Sequence, residues 1–461
     1  YPELMVLDST DPAVIKTMAS QLIPKKTLCI VSSKSGTTTE TLSFFRYFYN
    51  IFSNALGKDE AGRHFIAITD PGSSLEELAQ TLNFRKTYIN DPNIGGRYSA
   101  LSYFGLVPGA LTGMDIKILL DRAGIMAENC EFSNCVVAGN NYGGRLGVIL
   151  GEMARKGRDK VTFVISKHLE PFSDWVEQLI AESTGKQGKG IVPIVNEQLG
   201  FPGQYKDDRL FVHIRINGDE TYDDKLRELE KAGHPVVHIC VHDSFDLGGQ
   251  FFLWEMATSV AGHILGINPF DQPDVESAKV LSRNAVNAYR GTGALPSQTP
   301  VLCDMSTYVY GDLKADSLKH ALSIFFDKIK DDSYVAIQAY LEPESNTDAA
   351  LKALRMKVRD HYQAATTLGY GPRFLHSTGQ LHKGDAGNGL FIQITADNQN
   401  DLPIPDKAGF DGSSISFGIL ETAQALGDWQ ALVDAGRQVI RLHLGSRDIA
   451  GTINRITDII G

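Results

Sequence analysis

No stretch of this 461-residue chain approaches the roughly 20 consecutive apolar residues that a membrane-spanning helix requires, so the sequence predicts a soluble protein. Positive charge is sparse as well. Lys and Arg number 44 against 55 Asp and Glu, and no basic run occurs, which argues against nucleic acid or an anionic membrane surface as partner. An anionic small molecule would have to be captured by a few local cations against an unfavourable overall field. Cysteine is scarce too: Cys29, Cys130, Cys135, Cys240 and Cys303 are odd in number and scattered, without a Cys-x-x-Cys. They therefore suggest neither a disulfide framework nor a structural zinc, and read as reduced core residues of a cytoplasmic protein. A signal-peptide pattern and an initiating methionine are both missing. Tyr1 leads straight into an apolar run at 4–7 that reads as a strand already inside a domain, so an upstream part of the chain is expected to be absent.

What is present is an alternation. Strand-like apolar runs at 4–7, 28–31 and 65–69 are separated by helical periodicity at 12–22 and 39–52, the pattern of a parallel sheet with helices on both faces. The alternation resumes at 135–138, 161–165, 191–195, 210–216 and 235–241, predicting a second α/β unit, and again at 334–340, 390–395 and 439–444. The length allows about three domains. We place them at 1–128, 129–300 and 301–461. A helix over 248–265 is apolar nearly all round and should be a core element.

The most informative stretch is 27–42, TLCIVSSKSGTTTETL, where a buried strand runs into a hydroxyl-rich turn and then a helix. A helix N-terminus presents free N–H groups and the positive end of a dipole, so a phosphate placed there meets donors already oriented toward it. Ser33, Ser35 and Thr38 can add hydrogen bonds, Gly36 lets the backbone curl, and Lys34 can supply a point charge at the rim. The spacing is not that of a Walker loop. The competing explanation is an ordinary capped helix, but five hydroxyls within 32–38 exceed what capping needs.

Other segments carry weaker signals. Asn93-Ile94-Gly95-Gly96-Arg97-Tyr98-Ser99 allows close backbone approach to a ligand with Arg97 beside it, or is a plain turn. A glycine-rich run over 139–145 does not match a dinucleotide fingerprint and reads as a strand-to-helix turn. In DWVEQLIAESTGK, 174–186, Gln178 and Glu182 share a helix face, and Glu182 lies in the last turn, where the dipole disfavours a carboxylate and suits a general base. A surface glutamate is the bland alternative. In 268–279, NPFDQPDVESAK, Pro273 fits the first helical position, leaving Gln272 at the cap and Lys279 two turns along; otherwise Lys279 is one more exposed lysine.

The first of these motifs resembles the phosphate-binding element of sugar isomerase (SIS) domains. Together, SSKSGTTTET, GGRYS, Glu-Ser-Thr-Gly-Lys and the 268–279 motif occur in the order found in the glucose-6-phosphate isomerase family, a resemblance covering roughly residues 1 to 285. It implies two doubly wound SIS-type parallel-sheet subdomains, here followed by a C-terminal α/β segment. It further implies aldose–ketose isomerisation of glucose 6-phosphate and fructose 6-phosphate without metal or cofactor. On the family's pattern Ser33, Lys34, Ser35 and Thr38 bind the phosphate, Gly96 and Gln178 lie beside the substrate, and Arg97 stabilises the enediolate. Glu182 is the base, and Gln272 and Lys279 complete the site. The family's ring-opening histidine belongs to a His-x-x-x-Gln helix between the Glu and Gln/Lys motifs, where none occurs here. The motif comes later, at His376 to Gln380, so His376 is the choice and His213 its rival. In ordinary members that histidine comes from a neighbouring subunit; a C-terminal histidine lets one chain complete its own site, so a monomer or a homodimer is expected. The phrase LGYGPRFLHSTGQLHKG resembles bifunctional transaldolase/glucose-6-phosphate isomerase proteins, in which an N-terminal transaldolase precedes the isomerase. The rival expectations are a non-catalytic sugar-phosphate sensor and an isomerase that also takes mannose 6-phosphate.

Overall fold

β1 (Cys29–Ser32), β2 (Phe65–Thr69) and β3 (Lys86–Ile89) form a parallel sheet in that order. Every residue of β2 is buried, as a central strand covered on both faces requires. Its cover includes the helix Thr39–Leu56, where the 3.6-residue period brings Phe45, Tyr49 and Phe52 onto one stripe against Phe65. The expected strand at 4–7 is not formed: the backbone before Pro12 is irregular, with Leu4 and Val6 exposed. The run has strand composition but no neighbouring strand to pair with, and an unpaired strand leaves its backbone groups without partners.

The computed structural model describes all residues 1–461. They divide into one unit of Tyr1–Ile118, Asn284–Pro296 and Asn398–Ala423, and a second of Leu119–Arg283, Ser297–Asp397 and Gln424–Gly461. The second unit holds two sheets. β4 (Lys160–Ile165), β5 (Val192–Ile194), β6 (Arg209–Ile216) and β7 (Val236–Val241) are all parallel, in the order β5-β4-β6-β7. β8 (Leu302–Asp304), β9 (Thr307–Tyr310), β10 (Tyr334–Tyr340), β11 (Ala365–Tyr370), β12 (Gly389–Ala396) and β15 (Gln438–Leu444) form a sheet ordered β11-β10-β12-β15-β9-β8, parallel except for β9 and β8. A short antiparallel pair, β13 (Pro403–Ile404) and β14 (Ile415–Ser416), belongs to the first unit. The two sheets of the second unit share one core: Ala181, Val192 and Ile194 pack with Tyr334, Ala336, Ala365, Leu381 and Phe391.

The strand expected at 135–138 is a turn, with Val137 fully out in solvent. Asn141 organises this loop instead. Its side-chain oxygen accepts from Gly144 N at 2.7 Å, capping the helix Tyr142–Arg155, and its amide donates to Cys130 O at 3.1 Å. The glycines of that helix serve packing: a Cβ at Gly147 would lie 2.5 Å from Ala257 O on the helix Leu247–Leu265. The cysteines correct another expectation. All five are free, but Cys135, Cys240 and Cys303 are exposed, because they sit on a turn and on the edge strands β7 and β8. No helix is long and apolar enough to cross a membrane.

Candidate active site

The hydroxyl-rich turn forms where β1 ends and the helix Thr39–Leu56 begins. Gly36 adopts a φ of 70° and packs so closely that a Cβ there would lie 2.4 Å from Leu75 N. Within this turn Ser33 Oγ is 3.0 Å from Thr38 Oγ1 and accepts from Gly36 N at 3.1 Å, while Ser35 Oγ is 2.8 Å from Thr37 Oγ1. The Lys34 ammonium is 2.6 Å from Asp70, which follows β2. The first-turn N–H groups of an 18-residue helix and a ring of hydroxyls are thus gathered at one point, with a cation whose charge is balanced by a carboxylate. In the same unit Gly96 and Arg97 lie in a single 3-10 turn, Gly96–Tyr98. Arg97 is buried, its guanidinium 5.3 Å from the centre of the Tyr98 ring.

In the second unit Glu182 is half-buried in the last turn of the helix Phe172–Thr184, and Gln178 Nε2 donates to its Oε2 at 3.1 Å. The segment carrying His376 runs alongside this same helix. Arg373 donates to Asp174 at 2.9 Å near the helix start, Ser377 Oγ is 3.5 Å from Glu177 midway, and Gln380 Nε2 donates to Gly185 O at 2.8 Å just past the end. Gly188 N also donates to Gly384 O at 2.9 Å. The backbones meet so closely that a Cβ at Gly185 would lie 2.3 Å from Leu381 Cα. His376 itself is exposed, at the end of the 3-10 turn Arg373–His376. Its rival His213 lies inside β6, buried, with its ring nitrogen 3.3 Å from that of His238. Burial, together with that neighbour, pushes its pKa down to about 4.

Gln272 precedes the 3-10 turn Pro273–Val275, as the proline predicted, and Lys279 follows on the helix Glu276–Thr292, half-exposed with Glu276 3.8 Å away. The Gln272 loop is fixed to the Glu182 segment by Lys186, the last residue of the Glu-Ser-Thr-Gly-Lys motif, to which the sequence assigned no role. Its buried ammonium donates to Asn268 O at 2.9 Å, to Asp271 O, and to Asp271 Oδ1 at 2.8 Å. Glu177 was missed as well. It lines a cavity of about 800 Å³ with Asp174, Arg373 and Ser377 at the carboxyl ends of β4, β5 and β11, and burial beside Asp174 pushes its carboxyl up to about 7. No group of three or more His, Cys, Asp or Glu side chains is placed to hold a metal ion.

Parallel sheets of this kind, with a hydroxyl-rich loop after the first strand, define a mixed α/β protein of the SIS sugar-isomerase type. The chain is similar to the crystal structure of a hypothetical protein from Thermus thermophilus, with a TM-score of 0.55 at 25% identity, covering 60% of this chain and 76% of that one. The chain belongs to the glucose-6-phosphate isomerase family. Residues 2–200 match the family described as phosphoglucose isomerase. Among curated relatives, the glucose-6-phosphate isomerase of Parabacteroides distasonis is 30% identical over 302 residues, 56% of this chain and 67% of that protein. That of Clostridioides difficile is 32% identical over 289 residues, 54% of this chain and 64% of that protein. A probable glucose-6-phosphate isomerase of Methanococcus maripaludis is 28% identical over 319 residues, 62% of this chain and 71% of that protein. The matches thus span about two thirds of these relatives' length.

Proposed function

We propose that this chain interconverts glucose 6-phosphate and fructose 6-phosphate by ring opening and proton transfer through a cis-enediolate. In this reading the phosphate sits at the turn of Ser33, Ser35 and Thr38, with Lys34 exchanging Asp70 for the anion. Gly96 lets the backbone approach the sugar, and Gln272 borders it. His376 with Lys279 opens the ring, moving the proton of the C1 hydroxyl onto the ring oxygen as the bond between C1 and the ring oxygen breaks and the aldehyde forms. Glu182, held by Gln178, then takes the C2 proton of the open aldose; the electron pair left behind moves onto O1 to give the cis-enediolate, and the same carboxyl returns the proton to C1 as the proton of the C2 hydroxyl passes to O1. Arg97 stabilises charge that develops only as the proton leaves, which is where a cation raises turnover rather than mere affinity. Anchoring a remote phosphate fixes C1 and C2 against the carboxylate. No step calls on a metal ion. The same reading takes the C-terminal segment as of the kind that follows a transaldolase in bifunctional proteins, and the working location as the cytoplasm.

The observation that carries this reading is the register of the His376 segment along the Glu182 helix, contact by contact from Asp174 to Gly185. Exchange of the C2 proton of glucose 6-phosphate in deuterated water, with the intact chain and with Glu182→Gln, tests it. Exchange that collapses in the variant is expected. Equal exchange in both refutes Glu182 as the base, and binding of the sugar phosphate without exchange by either protein replaces the enzyme with a sensor.

A further inference from the structure

Gln380 is fully buried, and its carboxamide joins three segments that the chain keeps far apart. Its Oε1 accepts from Asp274 N at 2.8 Å; its Nε2 donates to Gly185 O at 2.8 Å and to Asp274 Oδ2 at 2.5 Å. The amide orientation is dictated by chemistry. A backbone N–H only donates, so it must face the oxygen, and a carbonyl and a carboxylate only accept, so they must face the nitrogen. Asp274 lies two residues past Gln272, Gly185 three past Glu182, and Gln380 four past His376. There is no slack at this junction: a Cβ on Gly384 would lie 2.4 Å from Gly185 O and 2.6 Å from Asp274 Oδ2.

We propose that Gln380 is a positioning residue of the isomerase site, locking the His376 segment to the end of the Glu182 helix and to the Gln272 loop. The inference rests on the site reading above and adds a role to the glutamine of the His-x-x-x-Gln segment. A leucine at 380 keeps the volume and removes all three hydrogen bonds. A glutamate keeps the acceptor for Asp274 N but sets a carboxylate against both the Asp274 carboxylate and the Gly185 carbonyl, and Asp274→Asn then restores a donor at the first of these two contacts.

The test measures kcat and KM for fructose 6-phosphate, per folded molecule, together with the melting temperature, for Gln380→Leu, Gln380→Glu, and Gln380→Glu with Asp274→Asn. Because a displacement near 1 Å at reacting groups costs up to ~100-fold, the single variants are expected to lose ~10–100-fold in kcat. KM should stay within about threefold, because the phosphate anchor is untouched. The double variant should regain part of the kcat that Gln380→Glu loses, because it relieves the carboxylate pair while the Gly185 carbonyl stays without its donor. A lowered melting temperature with kcat per folded molecule within about twofold of wild type would mean a merely structural role and would overturn the inference. So would a double variant no faster than Gln380→Glu, and that comparison decides the matter if Gln380→Leu fails to fold. If instead Glu182→Gln and His376→Ala keep wild-type turnover, the site reading itself has failed. If they lose it and Gln380→Leu does not, only the positioning role falls.

Discussion

Glu421 offers a stability test whose sign can be worked out in full. It lies on the helix Phe417–Asp434 with only 4% of its surface exposed; Asn398 donates to Oε2 at 3.0 Å, while Oε1 has no hydrogen-bond partner. Burial, with Asp11 nearby, pushes its pKa up to about 8 from an ordinary 4.5. Between those values the folded chain keeps a proton that the unfolded chain has released. Stability from this group is therefore greatest below about pH 4.5 and declines as pH rises, by at most ~1.4 kcal/mol per pH unit, until the carboxyl ionises in the fold as well. Across the window this amounts to a loss on the order of 3–5 kcal/mol, an upper figure because water entry and relaxation soften the cost. Glu421→Gln keeps an acceptor for Asn398 and removes the titration. We expect the variant to match wild type within ~1 kcal/mol at pH 5 and to exceed it by ~3 kcal/mol at pH 9. Denaturant titrations at half-unit steps between those pH values measure the difference. Glu177 and Glu255, also pushed up, to about 7 and about 8, titrate in both proteins and cancel in the comparison. Parallel stability curves for the two proteins would refute a protonated Glu421.

Two further outcomes follow from buried contacts. The Lys383 ammonium lies 2.5 Å from Asp428, and both are buried, so Lys383→Met should cost ~3–5 kcal/mol by stranding a carboxylate. Adding Asp428→Leu should recover most of that loss in the same denaturation assay. Gly36→Ala must fit a Cβ 2.4 Å from Leu75 N at a φ of 70°. It should distort the hydroxyl turn and raise KM for glucose 6-phosphate by ~10-fold, with a smaller effect on kcat, in steady-state kinetics.

Sequence periodicity located elements wherever burial on both faces left no ambiguity. The run at 334–340 is β10, an interior strand of its sheet with every residue buried, and the apolar helix expected at 248–265 is Leu247–Leu265. The same reasoning failed at 4–7 and 135–138, which are as apolar as real strands but have no ladder partner, and a partner is not written in the run itself. The site divides in the same way. The turn from Ser33 to Thr38 is local, so its hydroxyls could be read directly, and so could Gln178 beside Glu182, one helical turn apart. Asp70, which neutralises Lys34, stands 36 residues away, and Gln380 stands 195 residues from the carbonyl it holds. Neither relation leaves a trace in spacing.

The histidine shows why motif order is a weak guide to a composite site. In the proposed reading a ring-opening group need only be delivered to the right place, and the segment that carries His376 belongs to the same unit as the Glu182 helix. β10, β11 and β12 share a core with Ala181, Val192 and Ile194 of the preceding sheet, so the segment between β11 and β12 lies against the Glu182 helix. His213, though nearer in sequence to Glu182, is committed to β6, its ring facing His238 and held neutral by burial. Sequence distance to Glu182 therefore does not tell which segment lies against that helix: Arg373, Ser377 and Gln380 touch it from far along the chain. What brings the segment 373–384 there is a shared apolar core and a seam of glycines, neither of which resembles a catalytic motif.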